Sequence, residues 1–216
     1  MTDDELARRL DSAEAIVRHE FAQFQLVRNE GGRAACQDDW PTFHQMRLSQ
    51  FLTWTLPLLD SYAGDLDLAD SEGRNLLTEK YARMMASTEP ERYAREIAPA
   101  LPVLPPDRCA MQEQIIAVQV EWARDFHSRY PRLGAGMRVL TTSQDTLEAT
   151  SFETYLRGEL GTYSEATLGL YRELVDSYAA AGVNLTERTV GLTVALAGYE
   201  DLDAAEAAQA SIPPGG

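Results

Sequence analysis

The spacing of apolar side chains predicts helices along most of the chain. Between residues 4 and 28, apolar positions recur every three or four residues and form one helical stripe: Leu6, Leu10, Ala13, Val17, Phe21 and Phe24. A second stripe contains Met111, Ile115, Val118, Trp122 and Phe126. No segment alternates apolar and polar residues with the period of two that marks a strand. We therefore predict an all-α protein.

The middle of the chain predicts one long helix and one long loop. A helix beginning near Pro41 is expected to run to about Ala63, with a kink at Pro57 because proline cannot donate a backbone hydrogen bond. Residues 131–149 are expected to be mostly loop. Shorter helices are predicted at 71–87, 90–98, 151–160, 164–181 and 186–198.

These elements together predict a single-domain helical bundle of about seven or eight helices. The predicted domain spans residues 1–200, and an Ala-rich and Pro/Gly C-terminal tail occupies residues 201–216. The stretch Thr150-Ser151-Phe152-Glu153 has the spacing of a capping box, which places the start of a helix there.

A conspicuously polar loop, VRNEGGRAACQDDW at residues 27–40, follows the first helix. Its Gly31-Gly32 pair allows positive φ angles or a close backbone approach. Asp39 is placed to cap the next helix, whose first turn contains Pro41. The density of reactive side chains in so short a connection predicts one wall of a polar site.

Several polar groups fall on apolar helix faces. In the helix from Pro41, Arg47 and Gln50 lie within the sector of Phe43, Met46, Phe51, Trp54 and Leu58. Glu20 lies between Val17 and Phe24, and Glu159 lies on the face of Phe152, Tyr155, Leu156 and Tyr163.

A buried charge needs a partner, so we predict that these four polar groups share one interior cluster. The nearest candidate partners for Arg47 in sequence are Asp38 and Asp39. The alternative is that each ion pair only fixes the packing of the fold.

Composition excludes several classes of function. The chain has 19 basic and 34 acidic residues and a net charge of −15, which disfavours nucleic acid and anionic membrane as partners. It has two cysteines, an acidic N-terminal segment unlike a signal peptide and no apolar run of membrane-spanning length. We therefore expect a cytoplasmic protein.

Lys80 is the only lysine among the 19 basic residues. This bias towards arginine favours a GC-rich bacterial source. It also argues against Schiff-base and pyridoxal phosphate chemistry, both of which require a lysine amine.

Two strings, NEGGRAACQDDWPTFHQMRLSQF and TSFETYLRGELGTYS, resemble the signature stretches of an uncharacterised bacterial domain family, a domain of unknown function. Members of that family carry similar N-x-G-G-R-A-x-C-Q-D-D-W and T-S-F-E-T-Y-L-R-G-E-L strings. The resemblance spans roughly residues 20–180 and implies membership but no reaction. The matched positions, which become site candidates, include Gly31, Gly32, Arg33, Cys36, Gln37, Asp38, Asp39, Trp40, Arg47, Gln50, Glu153, Arg157 and Glu159.

The candidate catalytic groups are Cys36, Asp38, Asp39, His44 and Glu159. Cys36 could act as a nucleophile if Arg33 lowers its pKa and His44 serves as the base, or it could be an inert buried thiol. Adjacent carboxylates such as Asp38 and Asp39 can leave one acid protonated near neutral pH. The alternative for Asp39 is a helix cap.

Acidic side chains could also bind a metal ion. Glu20, Asp38, Asp39, Glu153 and Glu159 could supply oxygen ligands to Mg²⁺ or Mn²⁺. The three histidines lack the spacing of zinc ligands, and the sequence has no phosphate-binding loop and no dinucleotide fingerprint. No cofactor is predicted, and Mg²⁺ or Mn²⁺ is left open.

Arginines suggest a ligand with an acidic group. Arg33, Arg47 and Arg157 could grip a carboxylate or phosphate, with Gln50, Tyr155 and Glu20 as further binding residues. Alternatively, each arginine neutralises a carboxylate of the protein. Tyr155 and Tyr163 could donate protons or could line the core.

The leading hypothesis is a cytoplasmic bacterial enzyme that acts on a small polar, acidic metabolite by general acid–base chemistry. The missing cofactor motifs favour a lyase, isomerase or hydrolase. The second hypothesis is a non-catalytic small-molecule-binding or regulatory domain, and the third is an interaction protein. The sequence leaves open whether the chain forms a homo-oligomer.

Overall fold

The computed structural model describes residues 3–28 and 32–210, and within these ranges the chain is all-α with no strand. Its α-helices are α1 (Asp3–Gln25), α2 (Trp40–Phe51), α3 (Leu56–Ser71), α4 (Leu76–Thr88), α5 (Pro90–Arg92), α6 (Pro106–Arg129), α7 (Pro131–Ala135), α8 (Phe152–Leu160), α9 (Glu165–Ala180), α10 (Leu185–Leu196) and α11 (Leu202–Gln209). A π-helical turn at Tyr93–Ile97 and 3-10 turns at Ala35–Asp38, Ala98–Ala100 and Thr142–Gln144 complete the described elements. The predicted all-α, single-domain helical bundle is confirmed.

Short polar side chains fix where several helices begin. Asp39 accepts a hydrogen bond from the Thr42 amide at 3.1 Å, as predicted for a cap of α2. Helix α8 begins close to the predicted place, at Phe152. The predicted capping box from Thr150 to Glu153 is wrong, because the cap is Ser151, which accepts from the Thr154 amide at 3.2 Å, and Glu153 instead accepts from the Thr142 amide at 2.8 Å.

The predicted continuous helix over residues 41–63 is wrong, because the chain breaks between α2 and α3. Pro57 lies in the first turn of α3, where its missing N–H would have no intrahelical partner in any case. The proline therefore starts a new helix and does not kink an existing one. Trp54 lies in the break and is 1% exposed, so the turn directs this indole into the core.

The core is built around aromatic rings from four parts of the chain. Phe51, Trp54, Tyr62, Tyr163 and Tyr171 pack with ring centroids 4.9 to 6.0 Å apart. Aliphatic side chains of α3, α6, α8 and α9 surround them. Three of these rings are tyrosines, so the centre of the bundle contains hydroxyl groups that need hydrogen-bond partners.

Helices α4 and α8 approach closely because α8 has a glycine at the contact. A Cβ atom on Gly158 would lie 2.8 Å from the Lys80 carbonyl oxygen and 2.8 Å from Met84 Cγ. The absence of a side chain here lets the two backbones pack together. It also brings Glu159, the next residue of α8, against Lys80 of α4.

The first residues of the predicted loop at 131–149 are helical. Residues 131–135 form α7. Helix α11 lies against it, where the Glu206 carboxylate accepts hydrogen bonds from the Arg132 and Leu133 amides at 2.9 and 2.8 Å. Residues 211–216 of the predicted tail lie outside the described residues, and the boundary at residue 200 stays a prediction. None of the helices in the described ranges combines the length and apolar character needed to cross a membrane.

Candidate functional site

Four charged side chains from four helices meet inside the bundle and form what we call the ionic cluster: Glu20, Arg47, Lys80 and Glu159. None of these residues is more than 5% exposed. The Arg47 guanidinium donates two hydrogen bonds to Glu20, both at 2.6 Å, and Arg47 Nη1 lies 3.1 Å from Glu159 Oε2. The Lys80 ammonium donates to the same Glu159 oxygen at 2.6 Å. Two acids and two bases therefore balance in charge.

Neutral donors complete the coordination of both carboxylates. Glu159 accepts from Gln50 Nε2 at 2.8 Å and from the Tyr163 hydroxyl at 3.0 Å. Glu20 accepts from the Tyr62 hydroxyl at 2.6 Å. A buried charge with this many donors escapes most of the cost of an unpaired ion, and the cluster is rigid because α1, α2, α4 and α8 all contribute to it.

The electrostatics of the cluster favour the ionised forms of Glu159 and Arg47. Burial alone would raise the pKa of Glu159, but Arg47, Lys80 and the Gln50 hydrogen bond hold that pKa well below its ordinary value. Burial alone would lower the pKa of Arg47, but Glu159 and Glu20 raise it. Burial, reinforced by Glu159, raises the pKa of Tyr163. At neutral pH the charged Glu159 and Arg47 therefore lie beside the neutral phenol of Tyr163.

The predicted convergence of Glu20, Arg47, Gln50 and Glu159 is confirmed as geometry. Sequence reasoning missed the fourth charge, Lys80, which it considered only for Schiff-base and pyridoxal phosphate chemistry. The sequence does contain a signal for it, because Lys80 lies on the α4 face that also carries Leu76, Leu77 and Met84. Arg47 was predicted to be buried from the same kind of pattern, a charged residue on an apolar helix face.

The predicted pairing of Arg47 with Asp38 or Asp39 is wrong. Asp38 is exposed and binds Arg33, with Nη2 and Nε at 2.8 and 3.0 Å from one carboxylate oxygen. Asp39 is also exposed and caps α2. Both carboxylates find donors within a few residues of themselves, whereas Arg47 faces inward to α1 and α8.

The polar loop is fastened by Gln37, which is buried. Its amide nitrogen donates to the Phe24 and Val27 carbonyls at 2.8 and 3.0 Å, and its amide oxygen accepts from the Ala34 amide at 2.9 Å. Gly32 has the positive φ that was predicted, +90°. Gly31 and its neighbours at 29–30 lie outside the described residues. The loop is therefore held by the Gln37 amide together with Arg33, which donates to Asp38 and to the Gln37 and Gln25 carbonyls at 3.3 and 3.4 Å.

The remaining candidates of the loop do not form a catalytic pair. Cys36 is exposed. His44 Nε2 lies 2.8 Å from Glu14, and its ring packs against Trp40. Within the described residues no hydrogen bond joins Cys36 to His44, so the nucleophile and base roles stay predictions without geometric support.

Arg157 lies at the edge of the domain and is neutralised by the protein. It donates to Glu113 at 2.7 and 2.8 Å and to Glu153 at 2.7 Å. Of the five acids named as metal ligands, Asp38, Asp39, Glu153 and Glu159 are held by separate partners, and Glu20 is paired with Arg47. Over the described ranges, no group of three or more histidine, cysteine, aspartate or glutamate side chains is arranged to hold a metal ion.

A cavity of about 120 Å³ adjoins the ionic cluster, and we call it the inner cavity. Gln50 and Glu159 form part of its wall and connect it to the cluster. The other lining residues come from the α2–α3 break, α6, the segment before α8, α8, α9 and α10: Thr53, Trp54, Gln119, Met137, Phe152, Tyr155, Leu156, Tyr171, Leu185, Thr186, Thr189 and Val190.

Two buried donors in the wall of the inner cavity have no acceptor. Trp54 Nε1 and Gln119 Nε2 are both shielded from solvent and make no hydrogen bond in the structure. The oxygen of the Gln119 side chain is occupied, because it accepts from the Tyr171 hydroxyl at 3.1 Å. Buried polar groups in native proteins nearly always have partners, so two unsatisfied donors on residues that line one cavity are an unusual feature of this core.

Tyr155 contributes to the inner cavity and carries two cations on its ring. Lys80 Nζ lies 3.6 Å and the Arg138 guanidinium 4.6 Å from the ring centroid. Both distances are within the range of cation–π attraction. This predicted binding residue therefore links the ionic cluster to the protein surface at Arg138.

A family model described as "Protein of unknown function (DUF4125)" matches residues 11–207. The match includes every member of the ionic cluster and every residue that lines the inner cavity. No curated protein and no solved structure matches the chain.

Proposed function

The chain belongs to the DUF4125 family, and because that family is described as one of unknown function, we propose a function from the geometry of the inner cavity. The protein is a small-molecule-binding protein whose ligand is neutral, polar and held by Trp54 and Gln119. The observation that carries the proposal is the pair of buried, unpartnered N–H donors in one cavity wall.

The size of the cavity limits the ligand. A volume of about 120 Å³ compares with roughly 150 Å³ for an engineered cavity that accepts benzene. The ligand, or the part of it that enters, therefore has about six non-hydrogen atoms. The apolar walls formed by Phe152 and Leu156 suit a short hydrocarbon portion beside the polar group.

The charge of the cavity wall favours a neutral ligand. Of the described residues that line the cavity, Glu159 alone is charged, and Arg47 and Lys80 already neutralise it. An anionic group placed beside Glu159 would lose its hydration without gaining a cation. A carbonyl or amide oxygen, in contrast, would satisfy Trp54 Nε1 and Gln119 Nε2 without introducing a charge.

This geometry supports the non-catalytic alternative better than the acid–base enzyme. Glu159, a predicted base, is held ionised with a low pKa by its partners, and a weakly basic carboxylate is a poor acceptor of protons near neutral pH. Arg33, Arg47 and Arg157, predicted to orient an acidic substrate, all have carboxylate partners. We place the protein in the bacterial cytoplasm, a proposal supported by its two free cysteines and arginine-rich composition.

The indole N–H of Trp54 provides a direct test in ¹H–¹⁵N NMR spectra. Three probes of matched size would be titrated: propionamide, propionate and propylammonium. We expect propionamide to shift the Trp54 indole resonance and to leave those of Trp40 and Trp122 in place. Propionate should shift it less because of Glu159, and propylammonium should not shift it because it carries no acceptor. A Trp54→Phe variant assigns the resonance.

A variant of the second donor supplies the control. Gln119→Met should weaken propionamide binding, whereas Gln114→Met, on the exposed side of the same helix α6, should not. Equal shifts for all three probes, or the same affinity in both variants, would overturn the proposal. Chemical change of any probe during the titration would instead favour the enzyme hypothesis.

A further inference from the structure

We propose that a second, larger cleft on this protein binds an organic anion through Arg28 and Arg138. The outer cleft, as we call it, has a volume of about 590 Å³ and lies between α4 and the segments at residues 27–28 and 138–150. This volume is typical of small-molecule sites. The outer cleft shares no lining residue with the inner cavity, so the inference does not depend on the function proposed above.

The wall of the outer cleft is basic in a strongly acidic protein. Three arginines and two glutamates line it among the residues that the structure describes, whereas the whole chain has a net charge of −15. Arg92 is occupied by Glu89, at 3.2 Å. Among the residues that the structure describes, Arg28 and Arg138 have no carboxylate partner. These two guanidinium groups are therefore available to an external anion.

Arg138 is held in position without being neutralised. Its Nη1 donates to the carbonyl and hydroxyl oxygens of Thr150 at 2.9 and 3.1 Å, and its guanidinium packs on the Tyr155 ring. All of these partners are uncharged or aromatic. A cation that is oriented in advance loses less conformational freedom when it binds a carboxylate or phosphate.

Apolar side chains indicate the rest of the ligand. Val27, Met84, Met85 and Leu147 line the same cleft, and Leu147 is 74% exposed. Methionine adapts its shape to varied apolar groups. The outer cleft therefore fits a carboxylate or phosphate joined to a hydrocarbon portion better than it fits an inorganic ion.

Glu148 allows a test in which a substitution should strengthen anion binding. Its side chain lines the cleft and forms no ion pair with any residue that the structure describes. A bound anion would lie near this carboxylate and be repelled by it. Removing the negative charge should strengthen binding, whereas removing either unpaired arginine should weaken it.

Isothermal titration calorimetry at low ionic strength with octanoate, 1-octanol and inorganic phosphate would test these features. We expect octanoate to bind more tightly than either other probe, because 1-octanol lacks the charge and phosphate lacks the hydrocarbon portion. Arg28→Gln should weaken octanoate binding about three- to tenfold, and Glu148→Gln should strengthen it about threefold. Arg188→Gln, on the exposed side of α10, is the matched control and should change nothing.

Arg138→Gln should act like Arg28→Gln, but it also removes the bonds to Thr150. The decisive variants are therefore Arg28→Gln and Glu148→Gln, whose side chains make no hydrogen bond to the described protein. Octanoate affinities within twofold of each other in these two variants would overturn the proposal. So would 1-octanol binding as tightly as octanoate, or no octanoate binding by the natural protein.

Discussion

Replacing Glu159 by glutamine should destabilise this protein far more than the loss of an ordinary surface charge. The substitution keeps the shape of the side chain but removes the negative charge facing Arg47 and Lys80. Arg47 keeps its two hydrogen bonds to Glu20. Lys80 loses the only carboxylate that it contacts among the described residues, at a site where its side chain is 3% exposed.

The magnitude follows from the burial of the cluster. At an effective dielectric constant of about 20, two charges about 4 Å apart attract by about 4 kcal/mol, and desolvation offsets much of this. Removing one partner of a buried pair leaves the other unpaired and typically costs about 3 to 5 kcal/mol. For a domain of this size, that corresponds to a fall in Tm of about 6 to 20 °C.

Urea unfolding at pH 7 would measure the effect, with Glu113→Gln as the control. Glu113 also accepts two hydrogen bonds from an arginine, Arg157, but its side chain is 50% exposed. Exposed pairs contribute about 0 to 1 kcal/mol. A Glu159→Gln loss no larger than the Glu113→Gln loss would refute the reasoning.

A double-mutant cycle measures the interaction between Lys80 and Glu159 apart from the interactions of each residue with the rest of the protein. Lys80→Met removes the cation, and Lys80→Met with Glu159→Gln removes both charges. Because the double variant leaves no unpaired lysine, we expect its loss of stability to be clearly smaller than the sum of the two single losses. Additive losses would show that Lys80 and Glu159 do not stabilise each other.

The same carboxylate predicts a pH dependence. Its pKa is lower in the folded protein than in the unfolded chain, so the unfolded chain takes up the proton first as pH falls. The stabilisation is complete above the ordinary glutamate pKa of about 4.3 and is lost progressively below it. The difference in stability between the natural protein and Glu159→Gln should therefore shrink as pH falls below about 4.

Three further predictions concern packing and burial elsewhere. Gly158→Ala should cost about 1 to 3 kcal/mol in urea unfolding, because its Cβ would collide with a backbone oxygen; Gly169→Ala, with nothing within 4 Å, should be neutral or stabilising. Burial lowers the pKa of His127, so an NMR titration should place it below about 6.5, and a value at or above that would contradict the burial. Arg108→Met should cost about 1 to 3 kcal/mol in the same unfolding assay, because the buried hydrogen bonds from Arg108 to the Leu160 and Tyr163 carbonyls would be lost.

Helical periodicity was sufficient to predict much of the ionic cluster. Arg47, Glu20 and Glu159 each occupy a position where an apolar residue would continue the stripe, and a buried charge requires a partner of opposite sign. The apolar helix face on which each residue lies and the sign of its charge together predicted that these side chains converge. The prediction did not require knowing which helices are in contact. Lys80 of α4 obeys the same rule, because it lies on the helix face that carries the buried Leu76, Leu77 and Met84.

The polar loop shows where local interactions mislead an argument from composition. Its charged residues are close together in sequence, which suggested a shared site, but proximity also lets them satisfy one another. Arg33 donates a hydrogen bond to Asp38, five residues away, and Asp39 accepts one from the Thr42 amide at the start of α2. Side chains of this type commonly bind nearby backbone groups. A loop rich in polar residues can therefore be one whose side chains stabilise the loop itself, and it need not line a pocket.

The inner cavity could not be predicted from periodicity, because a cavity is a property of how far apart helix faces remain. The pattern places Thr186 and Thr189 of α10 and Gln119 of α6 on faces that point into the bundle, but it does not give the distance between those faces. That distance depends on the chain break that turns Trp54 inward and on the close approach permitted at Gly158. The sequence therefore predicts the charges beside the candidate site, whereas the space for a ligand and its two unpartnered donors emerge only from the packed structure.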